Sequence, residues 1–299
     1  MVREWDWSAY KIAGQFLALM TDQMQYLLAC LLTHTTFLKC AMGDERFLYA
    51  LFDLSEPDKI DLKAFLKHCG RRAFVTACLM EEKRYREMTV VLKYIPTLID
   101  PALLKHDWYQ YLSEFSIHYI PETPLVESIY FLKYLLNIYH DFILLHAVIQ
   151  YELAMKRVSM HVFSDYESAR PAISSCRHHE RSYIVLNKSL LKQTFDIPVM
   201  KIISNLKQNN QSKMPQSHID FQREEIFFYQ SKQTRLVKAV LPNQPIRIFL
   251  DYLIEKQFVF NCNRCITQLF SFNCDVGSRI IKHMVACDLI SIIDQREAV

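Results

Sequence analysis

A chain of 299 residues that is 51% hydrophobic and 22% charged can bury a substantial core and is too apolar to be a disordered tail. A formal net charge of +3 is too mild to specify a polyanion as partner by itself. Only Gly14, Gly43, Gly70 and Gly277 supply glycine, which argues against folds built on tight hairpins, phosphate loops or nucleophile elbows and for helices joined by short turns.

From about Trp7 to Asp100 the apolar residues recur at helical spacing, with a polar break at "DLSEPDKID", 53–61. The start of the chain lacks the basic-then-apolar order of a signal peptide. The apolar run Met24 to Met42 is interrupted by His34, Thr35, Thr36 and Lys39, so no membrane span is expected. Within 71–99, "RRAFVTACLMEEKRYREMTVVLKYIPTLI" reads as helix, charged turn and helix, with Ala77 allowing close packing and Tyr85 opening the second helix. That is the form of a helical-repeat unit, although no fixed period recurs. Between Pro124 and Val158 one long helix is expected, carrying Ile129, Leu132, Leu136, Tyr139, Ile143 and Ala147 on one stripe and packed on more than one side.

Further helices are expected at 180–192, 197–208 and 221–240, the last ending before Pro242 and Pro245. The polar tract 207–218, "KQNNQSKMPQSH", reads as a loop or linker. The domains expected are thus a helical-repeat region over 1–206, this linker, and a C-terminal part over 219–299.

After Pro245 a helix carries Ile246, Phe249, Leu250, Leu253 and Ile254 on one face. Asn261 is placed to cap a second helix ending near Phe270, and Asn273 a third that turns Val276, Ile280 and Met284 inward. "LISII" follows as a strand and "DQRE" as its turn. Three helices and a hairpin make a winged helix. The fold class expected is mainly α: a helical-repeat solenoid of TPR or HEAT type, followed by a C-terminal winged helix with a small β-hairpin.

On Ile266, Leu269 and Phe270, on Val276, Ile280 and Met284, and on "LISIIDQ" at 289–295, this half resembles the C-terminal half of a PCI domain. PCI domains occur in scaffold subunits of the proteasome lid, the signalosome, eukaryotic initiation factor 3 and mRNA-export complexes. The resemblance covers about fifty residues. It implies a non-catalytic, cytoplasmic or nuclear scaffold subunit, first of the proteasome lid and alternatively of initiation factor 3, that meets other PCI subunits through the winged-helix edge. The residues implied at that edge are Leu289, Ile290, Ser291, Ile292, Ile293, Asp294 and Gln295. The chain departs from the full pattern in ending at Val299, without the terminal helix that lid and signalosome subunits add to a shared bundle.

Two other chemistries compete for the same residues. A DNA or RNA reader, as in a mRNA-export adaptor, would use Arg279 and Lys282, but 246–299 carries six basic and six acidic residues and so no surplus to neutralise phosphates. A zinc site would use Cys262, Cys265, Cys274, His283 and Cys287, yet the CxxC has no second close pair. The cluster Cys176, His178, His179 and Glu180 lacks HExxH order. The nine cysteines, single apart from Cys262 and Cys265, read as reduced thiols. No GxGxxG, P-loop, GxSxG or HExxH occurs. No enzyme activity, metal or cofactor is expected.

Overall fold

The computed structural model describes residues 21–114, 122–160, 182–208, 221–255, 259–261 and 274–294. The chain forms two compact units: unit 1 runs to Val91 and includes Asp100–Glu127, and unit 2 comprises Leu92–Ile99 and the chain from Ser128 onward. Residues on both sides of the 207–218 tract therefore belong to unit 2. The protein is mainly helical, with antiparallel strands toward its C-terminal half.

In unit 1, α1 (Asp22–Thr33), α2 (Thr35–Gly43) and α3 (Arg46–Leu51) lead to the 36-residue α4 (Glu56–Val91), and α6 (Pro101–Glu114) follows. The polar break at 53–61 is a turn that starts α4. Ser55 Oγ accepts from Asp58 N at 3.3 Å and donates to Asp58 Oδ2 at 2.6 Å, a Ser-x-x-Asp box at a helix start. Thr21 caps α1 through a bond from Met24 N and also reaches Asp58. α4 buries one stripe, Leu62, Gly70, Ala73, Ala77 and Met88, the first four of them against α1 and α2. Gly70 sits where any Cβ would stand 3.3 Å from Met42 Cε, so its lack of a side chain permits the close approach of α2.

The expected break within 71–99 does not exist. The segment "EEKRYRE" is made of strong helix formers with no glycine or proline, and α4 runs through it without a turn. The charges read as a turn lie on a continuous helix, and two of them, Glu81 and Arg84, point inward.

In unit 2, α5 (Ile95–Leu98) packs on α8 (Ile143–Ser159). The buried Glu152 of α8 accepts from three backbone N–H groups at the start of α5, those of Lys93, Tyr94 (3.0 Å) and Ile95 (3.1 Å). The long helix expected over 124–158 is instead two, α7 (Pro124–Ile138) and α8, separated by a turn at 139–142. There Tyr139 and Phe142 meet edge to face and His140 Nδ1 bonds Asn137 O at 2.8 Å. α8 is buried on several sides, as its all-round apolar sequence implied.

Three expected helices over 180–240 resolve into four strands and one helix. β1 (Ser182–Leu186) and β2 (Leu191–Phe195) replace the helix at 180–192; β3 (Glu224–Gln230) and β4 (Val237–Val240) replace that at 221–240. Only α9 (Val199–Gln208) stands as expected. "SYIVL", "EIFFY" and "VKAV" are β-branched and aromatic runs, and cross-strand packing suits them better than a helix surface does. Glycine scarcity misled here because left-handed positions are filled otherwise. The β3–β4 loop turns at Arg235, φ 59°, with Arg235 N bonded to Ser231 O at 2.8 Å.

The strands form two three-stranded antiparallel sheets, ordered β2-β3-β4 and β5-β1-β6, where β5 is Val259–Asn261 and β6 Ile290–Asp294. β3 is apolar on both faces, as a doubly covered strand must be. Phe228 meets Tyr151 of α8 at 5.1 Å, while Phe227 and Tyr229 enter the core shared with α10 (Gln244–Glu255) and α11 (Cys274–Ala286).

Candidate functional site

The strand expected within 289–295 exists as β6. β6 pairs with β1, 182–186, in the register Leu186↔Ile290, Ile184↔Ile292 and Ser182↔Asp294. The "DQRE" turn beyond Asp294, with Gln295, lies outside the described residues, as does the helix expected to end near Phe270.

α11 delivers the chain to β6 through a left-handed stop. Leu289 N bonds Met284 O and Asp288 N bonds Val285 O, both at 3.0 Å, with Asp288 at φ 64° in the position usually given to glycine. The strain is offset by a buried polar knot. Asn187 Nδ2 donates to Gln230 O and to Asp288 O, each at 2.9 Å, and its Oδ1 accepts from Ser189 N and Oγ. Every hydrogen-bonding capacity of the Asn187 side chain is thus used. Ser231 Oγ donates to Asp288 Oδ2 at 2.6 Å, so the ends of β1, β3 and α11 meet at one point.

The knot also fixes which backbone groups of β6 stay open. Asn187 N donates to Leu289 O at 3.0 Å, continuing the β1–β6 ladder by one pair. Antiparallel ladders alternate, so the bonded pairs are Val185↔Ser291 and Tyr183↔Ile293. Ile290, Ile292 and Asp294 therefore turn their N–H and C=O groups to the other edge, along which no strand pairs among the described residues. The side chains of Ile290 and Ile292 meanwhile anchor in the core, together with Leu289 and Ile184. Ser291 faces away and accepts from Lys232 Nζ at 3.1 Å.

On α11, Met284 and Ile281 are buried, and Ile280 is partly buried against the same core. Val276, expected inward, is 39% exposed. Arg279 and Lys282 lie one turn apart, both exposed. Of the zinc candidates, Cys262, Cys265 and the cluster at 176–180 lie outside the described residues. Cys287 Sγ stands 3.7 Å from His283 Nε2, and among the described residues no group of three or more His, Cys, Asp or Glu could hold a metal. No helix among them is long and apolar enough to cross a membrane.

Sequence reading missed a buried charged cluster in unit 1. Arg84 binds both carboxylate oxygens of Glu127 and donates to Thr33 O at 3.1 Å, and its guanidinium lies 5.7 Å from the Trp108 ring centre. Glu81 accepts from Thr35 N at 2.7 Å and Thr35 Oγ1 at 3.0 Å, covering the start of α2. Burial raises the Glu81 carboxyl above its ordinary range against those two bonds. Beside it a 180 Å³ cavity is lined by His34, Phe37, Cys40, Glu81 and Leu112, among others. Burial, reinforced by the Arg84 charge, lowers His34 to about 4. The only signal in the sequence was the spacing of Glu81 and Arg84 with Ala77 and Met88, which sets both on the core stripe.

His34 thus stays neutral in the fold and takes a proton in the unfolded chain. Its contribution to stability is full above pH 6.5 and is lost as pH falls from there toward 4, by roughly 3 kcal/mol. Glu81, shifted upward, works in the opposite direction over the acid range. Urea unfolding of wild type and His34→Leu between pH 7 and 4 isolates the histidine: the variant should lose less stability on acidification. Parallel curves would show that His34 does not titrate as placed.

No family model matches the chain, and no curated protein matches it.

Proposed function

We propose that this protein is a non-catalytic interaction subunit that joins a larger assembly by strand addition at β6. The observation that supports this most directly is the edge of β6 that pairs with no strand among the described residues, whose outward N–H and C=O groups belong to Ile290, Ile292 and Asp294 while Ile290 and Ile292 are held in the core. An edge anchored in this way offers main-chain bonds without exposing the side chains of Ile290 and Ile292. The kind of assembly implied by the resemblance of 266–295 is a PCI-type complex, the proteasome lid first and initiation factor 3 second, with other PCI subunits as partners.

A proline at 294 removes one outward donor and leaves the bonded pair Tyr183↔Ile293 intact, whereas a proline at 293 breaks that pair. Asp294→Pro should leave the thermal midpoint close to wild type and reduce recovery of co-purifying chains from native cells about tenfold, near 1.4 kcal/mol of binding. Ile293→Pro should lower the midpoint itself. If Asp294→Pro retains every partner, strand addition at this edge is wrong.

The exposed pair Arg279 and Lys282 supports a second reading, a nucleic-acid-binding adaptor. Under it, Arg279→Ala with Lys282→Ala loses RNA or DNA binding and keeps the assembly.

A further inference from the structure

The outer face of α4 is unlike the rest of that helix. At about 100° per residue, the side chains opposite the buried stripe are Asp61, Ala64, His68, Arg71, Arg72, Val75, Leu79, Glu82, Arg86 and Val90, with the two carboxylates toward its ends and none between them. From Leu62 to Met80 the sequence holds Lys63, Lys67, Arg71 and Arg72 and not one carboxylate. Those four cations are exposed, and none forms an ion pair among the described residues. On the same face as Arg71 and Arg72 are Val75 and Leu79, 58% and 64% exposed and one turn apart, with Val90 beyond them at 85%.

Two exposed aliphatic side chains one turn apart, set beside unpaired cations, give this face the amphipathic character that a partner helix covers. We propose that this face of α4, centred on Arg71, Arg72, Val75 and Leu79, docks an acidic amphipathic helix of a partner protein. Apolar residues three and four apart on that helix would cover Val75 and Leu79, and carboxylates flanking them would meet Lys67, Arg71 and Arg72. Charge complementarity sets the sign, since the central stretch carries only positive side chains. Single-stranded nucleic acid fits less well. The aromatic residues of this stretch, Phe65 and Phe74, pack toward the core and offer no exposed ring for base stacking. An anionic membrane fits less well because the exposed aliphatics are single small side chains without the aromatic and leucine-rich face that inserts between headgroups. This surface lies on unit 1 and does not depend on the β6 edge.

The test uses the full chain and four labelled probes: a 20-residue helical peptide with Leu at i, i+3, i+4 and i+7 and Glu elsewhere, its Lys-for-Glu counterpart, a 20-nucleotide oligouridylate, and phosphatidylcholine vesicles containing phosphatidylserine. The acidic peptide should bind and the basic one should not. Arg71→Glu with Arg72→Glu should weaken acidic-peptide binding at least tenfold, and Val75→Ser with Leu79→Ser several-fold. All four side chains are exposed, so the thermal midpoint should stay near wild type, and Asp294→Pro should leave peptide binding unchanged. Binding that survives both double variants, or a peptide that fails to bind wild type, overturns the proposal. Binding of oligouridylate or vesicles that Arg71→Glu with Arg72→Glu removes, in the absence of peptide binding, assigns the face to that class instead.

Discussion

Replacing Arg84 by leucine is expected to destabilise unit 1 by roughly 3 to 5 kcal/mol. The guanidinium satisfies both oxygens of Glu127 and the terminal carbonyl of Thr33, and Glu127 is 4% exposed. Without Arg84, that carboxylate must stay charged in an apolar setting, take up a proton, or pull its helix end toward water. A pair of this kind is not itself a large stabiliser, because two desolvated charges gain little over two well-packed apolar groups. The double variant Arg84→Leu with Glu127→Leu should therefore recover most of the loss, and urea unfolding reads both. A single variant within about 1 kcal/mol of wild type, or a double variant no better than the single, would refute this account of the cluster.

The same cluster shows where the sequence was legible and where it was not. Helix periodicity placed α9, α10 and α11 and read the stretch from about Trp7 to Asp100 as helical, because an amphipathic surface repeats every three or four residues whatever the tertiary context. It failed where burial had two sides. "EEIFFYQ" is covered on both faces, so it shows neither the alternation of a half-buried strand nor the stripe of a helix. Turn chemistry failed for a different reason. Arg235 and Asp288 adopt positive φ in place of glycine, and neither residue announces this in a sequence. Long-range pairing was the least legible. "LISII" is readable as a strand from its β-branched run, but its partner lies about a hundred residues earlier, and only the structure joins Ser182–Leu186 to Ile290–Asp294. Glu81 and Arg84 read as part of a charged turn for the same reason: the partners that make them core residues, Thr35 and Glu127, are more than forty residues away.

Met284→Asp should cost several kcal/mol and unfold the core that supports β6, whereas Val276→Asp, on the same helix, should change stability by no more than about 0.5 kcal/mol. Sequence reading treated the two as equivalent inward positions, spaced eight residues apart. In the structure Met284 is 0% exposed among Phe249, Leu250, Leu253 and Leu289, while Val276 is 39% exposed in the first turn. The difference arises from the arrival of α11 at β6. Its last turns must pack beneath Leu289 and Ile290 so that Asp288 can close the stop against Ser231, whereas its first turn is under no such demand. A buried carboxylate at 284 meets no cation in that core and would hold its charge only by opening it. Loss of the core frees β6 from Ile184 and Leu186, so partner binding at the edge should disappear with stability, in contrast to Asp294→Pro, which should weaken binding and leave stability near wild type. Circular dichroism melts with co-purification from the same preparations compare the two. Equal damage from both substitutions, or greater damage from Val276→Asp, would show that α11 is rotated from the orientation that positions the strand.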